Sequence, residues 1–278
     1  MSMKLKDMTP DVLVLGSSGF KSYAQLGALW FLSYTPILRT VKTYVGCSIG
    51  SIISLLLICG YQPLEIINDD KMLLSLLDYV KSVGPGNLGG LVLTNGLLSI
   101  DPIKNYLATK VKSKFGFIPT LSQLKVLIGS ELVTVTVNIT KGITEYLSCD
   151  NFPDLPCVEA VLMSVNFPML FQRYTYQGDS YVDGSFGNPY PIDYMDDGNI
   201  QTLGIIVTDQ PTESNDIVSY LYRVSRQPIE ELRHRIIDNS SDKCYNLTIH
   251  VQTTNTSDML LSGMEQAKRR YQTVPDPV

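Results

Sequence analysis

Gly46-Cys47-Ser48-Ile49-Gly50 stands between a β-branched, apolar segment at Val41 to Val45 and an almost unbroken apolar run at Ser51 to Cys59. A serine with glycine two residues to either side, entered from a strand and left by a helix, is the sequence form of a nucleophile elbow. The feature constrains the fold because the turn is sharp. Bulk at 46 or 50 would clash, and the serine takes a strained backbone conformation that lifts its hydroxyl above the sheet. The chemistry implied is attack on an acyl carbonyl.

The neighbouring segments supply the frame such a turn needs. Asp11 to Leu15 reads as a short buried strand feeding the small-residue turn Gly16-Ser17-Ser18-Gly19, after which Tyr23, Leu26, Gly27, Trp30 and Phe31 recur at helical spacing. With the strand at Val41 and the helix after the elbow, the first sixty residues form a βαβα unit, which implies a parallel, helix-covered sheet. The expected class is α/β, with a mostly parallel central sheet and helices on both faces.

Farther along, Leu64 to Val83 has helical periodicity, and Gly84 to Gly96 breaks it with glycines among Leu88, Leu91, Val92 and Leu93. That stretch reads as an apolar-lined loop, either a surface connector or a segment covering substrate. Asp101 before Pro102 suggests a cap for a helix over Ile103 to Lys114. Strands are expected at Leu132 to Ile139, Gln201 to Thr208 and Asn246 to Gln252, and helices at Val158 to Val165, Ser214 to Ile237 and Met259 to Tyr271. A turn at Gln177-Gly178-Asp179 leads into Tyr181-Val182-Asp183-Gly184 as a hairpin. No internal repeat or linker divides the chain, so a single domain over 1–278 is expected, with a core at 11–210 and the segments of 211–272 packed on it.

Composition removes several classes. A net charge of −5, with basic residues scattered apart from Lys268-Arg269-Arg270, argues against a nucleic-acid partner. The apolar run from Ser51 to Gly60 falls well short of the roughly 18 residues that a membrane span requires, and the polar start at Met1 to Asp11 has no signal-peptide core. The five cysteines, at 47, 59, 149, 157 and 244, show no metal-type spacing and fit reduced thiols of a cytoplasmic protein, with Cys149 and Cys157 read as packing residues. No metal and no cofactor are expected.

A serine nucleophile needs a base and donors for the developing oxyanion. The loop Ser17-Ser18-Gly19-Phe20 precedes a helix, so its amides suit a negative oxygen, or alternatively a phosphate, although neither GxxxxGK[ST] nor a full GxGxxG is present. Of the two histidines, His234 sits in the charged run Glu230 to Arg235, read as an exposed helix face, and His250 lies in a strand. The order Ser48, Asp183, His250 matches that of an α/β-hydrolase triad, although Ser48 follows only two strands.

Four segments taken in order resemble the patatin-like phospholipase family. Ser17 to Ser22, with the trailing Tyr23 to Leu29, looks like that family's oxyanion loop and following helix, and Gly46 to Gly50 stands where its nucleophile does. Ala160 to Phe171 is similar to the segment before the family's aspartate, and Asp183-Gly184-Ser185 with Asn188-Pro189-Tyr190-Pro191-Ile192 resembles its Asp-Gly and Asn-x-Pro stretches.

The resemblance implies a three-layer patatin-like fold and a calcium-independent, phospholipase A-type lipid acyl hydrolase. It assigns Ser48 as nucleophile and Asp183 as base in a dyad, with oxyanion amides from Ser18, Gly19 and Phe20. The substrate it implies is a phospholipid or other acyl-ester lipid at a membrane surface, met by a cytoplasmic protein peripheral to the bilayer. Lys21 matches the basic position of the family loop and either holds the loop, attracts a phosphate or is simply solvated. An ordinary aspartate near pKa ~3.9 is a weak base, so Asp183 is expected to act through positioning. Serines at 17, 18 and 22 replace usual glycines, which narrows the loop's backbone freedom. A Ser-Asp-His esterase or acyltransferase, and a catalytically weakened lipid-binding protein, are the alternatives.

Overall fold

The computed structural model describes residues 3–69, 98–209 and 217–272. Its centre is an eight-stranded sheet. Strands β1 (Val12–Leu15), β2 (Thr43–Cys47) and β3 (Glu131–Asn138) lie in parallel with β7 (Thr202–Asp209) and β8 (Cys244–Val251), in the order β3-β2-β1-β7-β8. Antiparallel β4 (Ile143–Leu147), β5 (Tyr174–Tyr176) and β6 (Asp179–Asp183) complete the β3 side.

Strand alternation divides the apolar residues between two cores. Leu13, Leu15, Leu203, Ile205, Leu247 and Ile249 face one layer, which holds helices α1 (Ser22–Ser33), α2 (Ile49–Ile58), α3 (Pro63–Asn68), α4 (Asp101–Phe115), α5 (Leu121–Ile128), α6 (Cys157–Val165) and α8 (Thr256–Gln272). Val12, Val14, Val45, Val133 and Ile206 face the other, where Tyr190, Ile192 and Ile236 of α7 (Ile217–Asn239) cover the sheet. The helices therefore occupy both faces unequally, with α7 alone among the described helices on the second.

The C-terminal elements are built onto the same frame. β8 pairs with β7 along its whole length, and α8 approaches α1 so closely that a Cβ at Gly27 would lie 2.0 Å from the Leu260 carbonyl.

Several boundaries differ from the sequence reading. The cap of α4 is Ile100, and Asp101 occupies the first turn, where its carboxylate faces the helix dipole and accepts from Ser99 Oγ at 2.7 Å. Helix α5 and strand β4 fall outside the sequence reading, whereas β5 and β6 are the two arms of the expected hairpin. α5 carries a capping box, with the Gln123 N–H donating to Thr120 Oγ1 at 3.2 Å and the Thr120 N–H to Gln123 Oε1 at 3.0 Å. The Gly84 to Gly96 loop and the helix expected beyond Asn68 lie outside the described residues.

Candidate active site

Ser48 joins β2 to α2 with φ 56° and ψ −130°, a sparsely populated positive-φ conformation that costs a non-glycine residue of order 1–3 kcal/mol. Backbone groups on both sides hold it there. Its N–H donates to Ser164 Oγ of α6 at 3.0 Å, and its carbonyl accepts from the Ser51 N–H at 2.8 Å and the Ser51 hydroxyl at 2.6 Å. The glycines leave the room that the turn requires: a Cβ at Gly46 would lie 2.4 Å from Ser51 Cα, and one at Gly50 would lie 2.2 Å from the Leu15 carbonyl oxygen. Cys47, just before the serine, is fully buried, and burial pushes its thiol well above the ordinary range, so it stays neutral.

The sheet brings Asp183 to this turn. β2 pairs along β3 up to Cys47 opposite Val135, and β6 pairs along β3 down to Asp183 opposite Thr136. Because β4 overlaps both registers on β3, it takes one edge, and β2 and β6 share the other, with their C-terminal ends meeting. The Ser48 hydroxyl donates to Asp183 Oδ2 at 2.6 Å. The other carboxylate oxygen, Oδ1, accepts from the Ser185 N–H at 2.8 Å, and the Asp183 N–H is tied to the Asn166 carbonyl at 3.0 Å. Gly184 leaves room for the Val135 carbonyl, which would lie 2.2 Å from a Cβ there.

Asp183 is completely buried, and burial raises its carboxyl to about 6, opposed by hydrogen bonds from Ser48 and Ser185. The expectation of an ordinary, weakly basic aspartate is thereby corrected. Desolvation brings its basicity close to neutral pH while it remains the direct partner of the serine.

The loop after β1 faces Ser48 across a cavity of about 40 Å³ lined by Ser17, Ser18, Gly19, Ser48, Phe167, Ser185, Arg226, Ile229 and Arg233. Only Gly19, with φ 50°, takes the left-handed conformation, while Ser18 sits at φ −133°. The serines at 17, 18 and 22 thus replace glycine where the backbone does not require it. Three supports hold the loop. The Ser17 N–H donates to the Pro189 carbonyl at 2.8 Å, Ser18 Oγ donates to Gln25 Oε1 at 2.8 Å, and Arg233 binds Ser17 from the opposite face. Gln25 is fully buried in α1, and its amide also donates to the carbonyls of Gly16 and Ile205 at 2.9 and 3.0 Å. Phe20 packs against the core, and Lys21 N–H donates to the Ser18 carbonyl at 3.0 Å; neither side chain lines the cavity among the described residues.

Sequence reasoning missed Arg233. The run Glu230 to Arg235 was read as an exposed face, and His234 and Arg235 are exposed, but Arg233 is 1% exposed and points into the site. Its environment is set by Val207 of β7 and Ser17, both remote in sequence, and the alternation of charges in the run hides it.

Neither histidine joins Asp183 to Ser48. The Nδ1 of exposed His250 pairs with Thr208 Oγ1 at 2.8 Å, and its backbone N–H donates to Gln266 at 3.0 Å. At the opposite end of β3, Glu131, Cys149 and Asp150 present ligand atoms within 4.8 Å of one another. Lys125 already engages Glu131 and Cys149, each at 3.2 Å. Cys149 is half-buried and packs against the main core, as expected, while its thiol also donates to Glu131 at 3.0 Å.

A helix-sandwiched, mostly parallel sheet carrying a strained serine on a strand-to-helix turn, in direct contact with a buried aspartate, defines an α/β protein with a serine–aspartate site. The model of the patatin-like phospholipase family matches residues 13–196, and the chain belongs to that family. A "Probable lipid hydrolase" of Invertebrate iridescent virus 6 is 30% identical over 197 residues, covering 69% of this chain and 65% of the viral protein. An uncharacterized protein of Acanthamoeba polyphaga mimivirus is 28% identical over 73% of this chain and 67% of its own length. The chain thus spans about two thirds of these relatives. Among solved structures, VipD from Legionella pneumophila superposes with a TM-score of 0.55 at 17% identity, over 95% of this chain and 67% of that one, which shows a shared fold.

Proposed function

We propose that this chain is a lipid acyl hydrolase in which Ser48 is the nucleophile and Asp183 its base. The observation that carries the reading is the 2.6 Å hydrogen bond from Ser48 Oγ to the buried Asp183 carboxylate. The family membership and the viral relative named as a probable lipid hydrolase support a lipid ester as substrate.

In this reading Ser48 Oγ attacks the ester carbonyl, its proton passes to Asp183 Oδ2, and the carbonyl electron pair moves onto the oxygen. Amides of Ser18 and Gly19 stabilise that oxyanion, and the N-terminus of α2, which begins at Ile49, adds its partial positive charge. Collapse of the intermediate breaks the ester C–O bond, and Asp183 returns the proton to the departing alcohol. Water then attacks the acyl-serine, giving its proton to Asp183, which returns it to Ser48 as the fatty acid leaves. Base and oxyanion donors all come from the chain, so the proposal includes activity without calcium. Its substrate is a phospholipid or related acyl ester presented at a membrane surface; among the described residues no helix is long and apolar enough to cross a membrane.

The test is fatty-acid release from phospholipid vesicles in the presence of a calcium chelator, by wild type, Ser48→Ala and Asp183→Asn. The proposal expects release by wild type and a loss of at least ~10³-fold in both variants with folding intact. Release by Asp183→Asn at the wild-type rate contradicts the dyad.

A further inference from the structure

We propose that Arg233 is a positioning residue for this reaction, fixing the oxyanion loop and supplying the permanent positive charge that a serine–aspartate pair does not generate for itself. The inference rests on the reading of Ser48 as nucleophile and Asp183 as base.

The chemistry of a histidine-free site creates the need. When an imidazole takes the serine proton, it becomes a cation beside the oxyanion. When Asp183 takes it, a carboxylate is neutralised and the negative charge is carried across to the substrate oxygen. No cation appears, so stabilisation has to come from charge and dipoles already fixed on the loop side.

Arg233 is the residue placed there. It lines the same cavity as Ser48, Ser18 and Gly19, and its guanidinium remains protonated however deeply it is buried. Nη2 donates to the Ser17 carbonyl at 2.9 Å and to the Ser17 hydroxyl at 3.2 Å, while Nη1 donates to the Val207 carbonyl at 3.3 Å. One planar fork therefore ties α7 to the loop after β1 and to the end of β7. Ser17 immediately precedes Ser18 and Gly19, so the hold on its carbonyl fixes the peptide plane from which the Ser18 N–H projects.

Glu230 Oε2 accepts from Arg233 at 2.7 Å, and the same carboxylate also pairs with Arg226, so two guanidiniums that line the cavity converge on one carboxylate. A buried cation is a poor choice for a tie between two elements, because an apolar side chain would avoid the desolvation penalty. A developing anion across the cavity gives the charge a use. Arg233 acts through Ser17, which distinguishes it from residues that touch the reacting carbonyl.

The test compares Arg233→Met, which keeps much of the volume and loses charge and donors, with Arg233→Lys, which keeps the charge but not the fork. Steady-state hydrolysis of a soluble p-nitrophenyl acyl ester is measured alongside melting temperature, with fluorophosphonate labelling of Ser48 in wild type as the control on the underlying reading. The expected result is a fall in kcat of about 100-fold for Arg233→Met and about 10-fold for Arg233→Lys, with KM within about twofold of wild type. If the Met variant does not fold, the Lys variant decides alone: an unchanged kcat overturns the proposal. Equal kcat in Met and wild type overturns it as well, as does a loss that the lysine does not partly restore, since that is the pattern of a structural tie. Wild type that labels at Ser48 while Arg233 variants keep full kcat removes only the role of Arg233. Wild type that does not label removes the dyad, and this inference with it.

Discussion

Cys47 and Asp183 end two strands that meet head-on along one edge of β3, one opposite Val135 and the other opposite Thr136. That meeting delivers a carboxylate to a serine hydroxyl from 135 residues away in the chain. The contact is set by register: a slip of one residue in the β6 pairing would turn Asp183 to the opposite face of the sheet, and one in the β2 pairing would displace the elbow relative to it.

The raised carboxyl of Asp183 fixes the pH dependence of the proposed activity. The base must be ionised, and its folded value is about 6, so kcat/KM rises with pH through about 6 and then levels. At pH 5 the rate should be about tenfold below the plateau. The same profile is expected in a His234→Ala/His250→Ala double variant. A midpoint that vanishes with either histidine contradicts the assignment.

The same shift has a stability consequence of opposite sense to that of a salt-bridged aspartate. The native state holds the Asp183 proton more tightly than the unfolded chain, so burial of the carboxylate lowers stability as pH rises from about 4 to about 6, and the penalty is full above that. Asp183→Asn removes the titration. Its melting temperature should exceed that of wild type at pH 8, by the equivalent of about 1–3 kcal/mol, and the advantage should disappear near pH 3.5. Equal melting temperatures at both pH values would count against a strongly desolvated carboxyl.

Gly50→Ala tests the elbow's steric logic. The added Cβ would meet the Leu15 carbonyl oxygen at 2.2 Å, where a backbone group with no rotamer to change must give way. Destabilisation of at least about 2 kcal/mol is expected in denaturant titration, against a few tenths for an open position.

Ile229, 4% exposed, lines the small cavity of about 40 Å³ beside Ser48. Ile229→Ala should lower stability by about 2–4 kcal/mol, and raise kcat/KM for long-chain relative to acetyl esters. A series that keeps the wild-type chain-length preference would show that Ile229 does not restrict entry.

Much of this architecture was legible because its signals are local. The elbow, the small-residue loop after β1, and the apolar runs of β1, β3 and β7 all show in short windows, as does Asp183-Gly184 after its turn. Strand β4 was hidden because polarity does not follow burial along it: Glu145 is buried while Ile143 is exposed, so the sequence shows no apolar alternation. Arg233 was hidden for a different reason. A charged helix run normally marks a solvated face, and nothing near it in sequence reveals that Ser17 and Val207 wait on the buried side. The basicity of Asp183 was equally unreadable, since it depends on complete burial beneath segments far apart in the chain.

The central claim, that Ser48 is made reactive by its direct contact with Asp183, is tested most directly by fluorophosphonate labelling followed by mass-spectrometric mapping of the modified peptide. The account predicts a single adduct on Ser48 in wild type and loss of that adduct in a folded Asp183→Asn variant. An adduct on another residue, or full labelling of Ser48 without the Asp183 carboxylate, would contradict it.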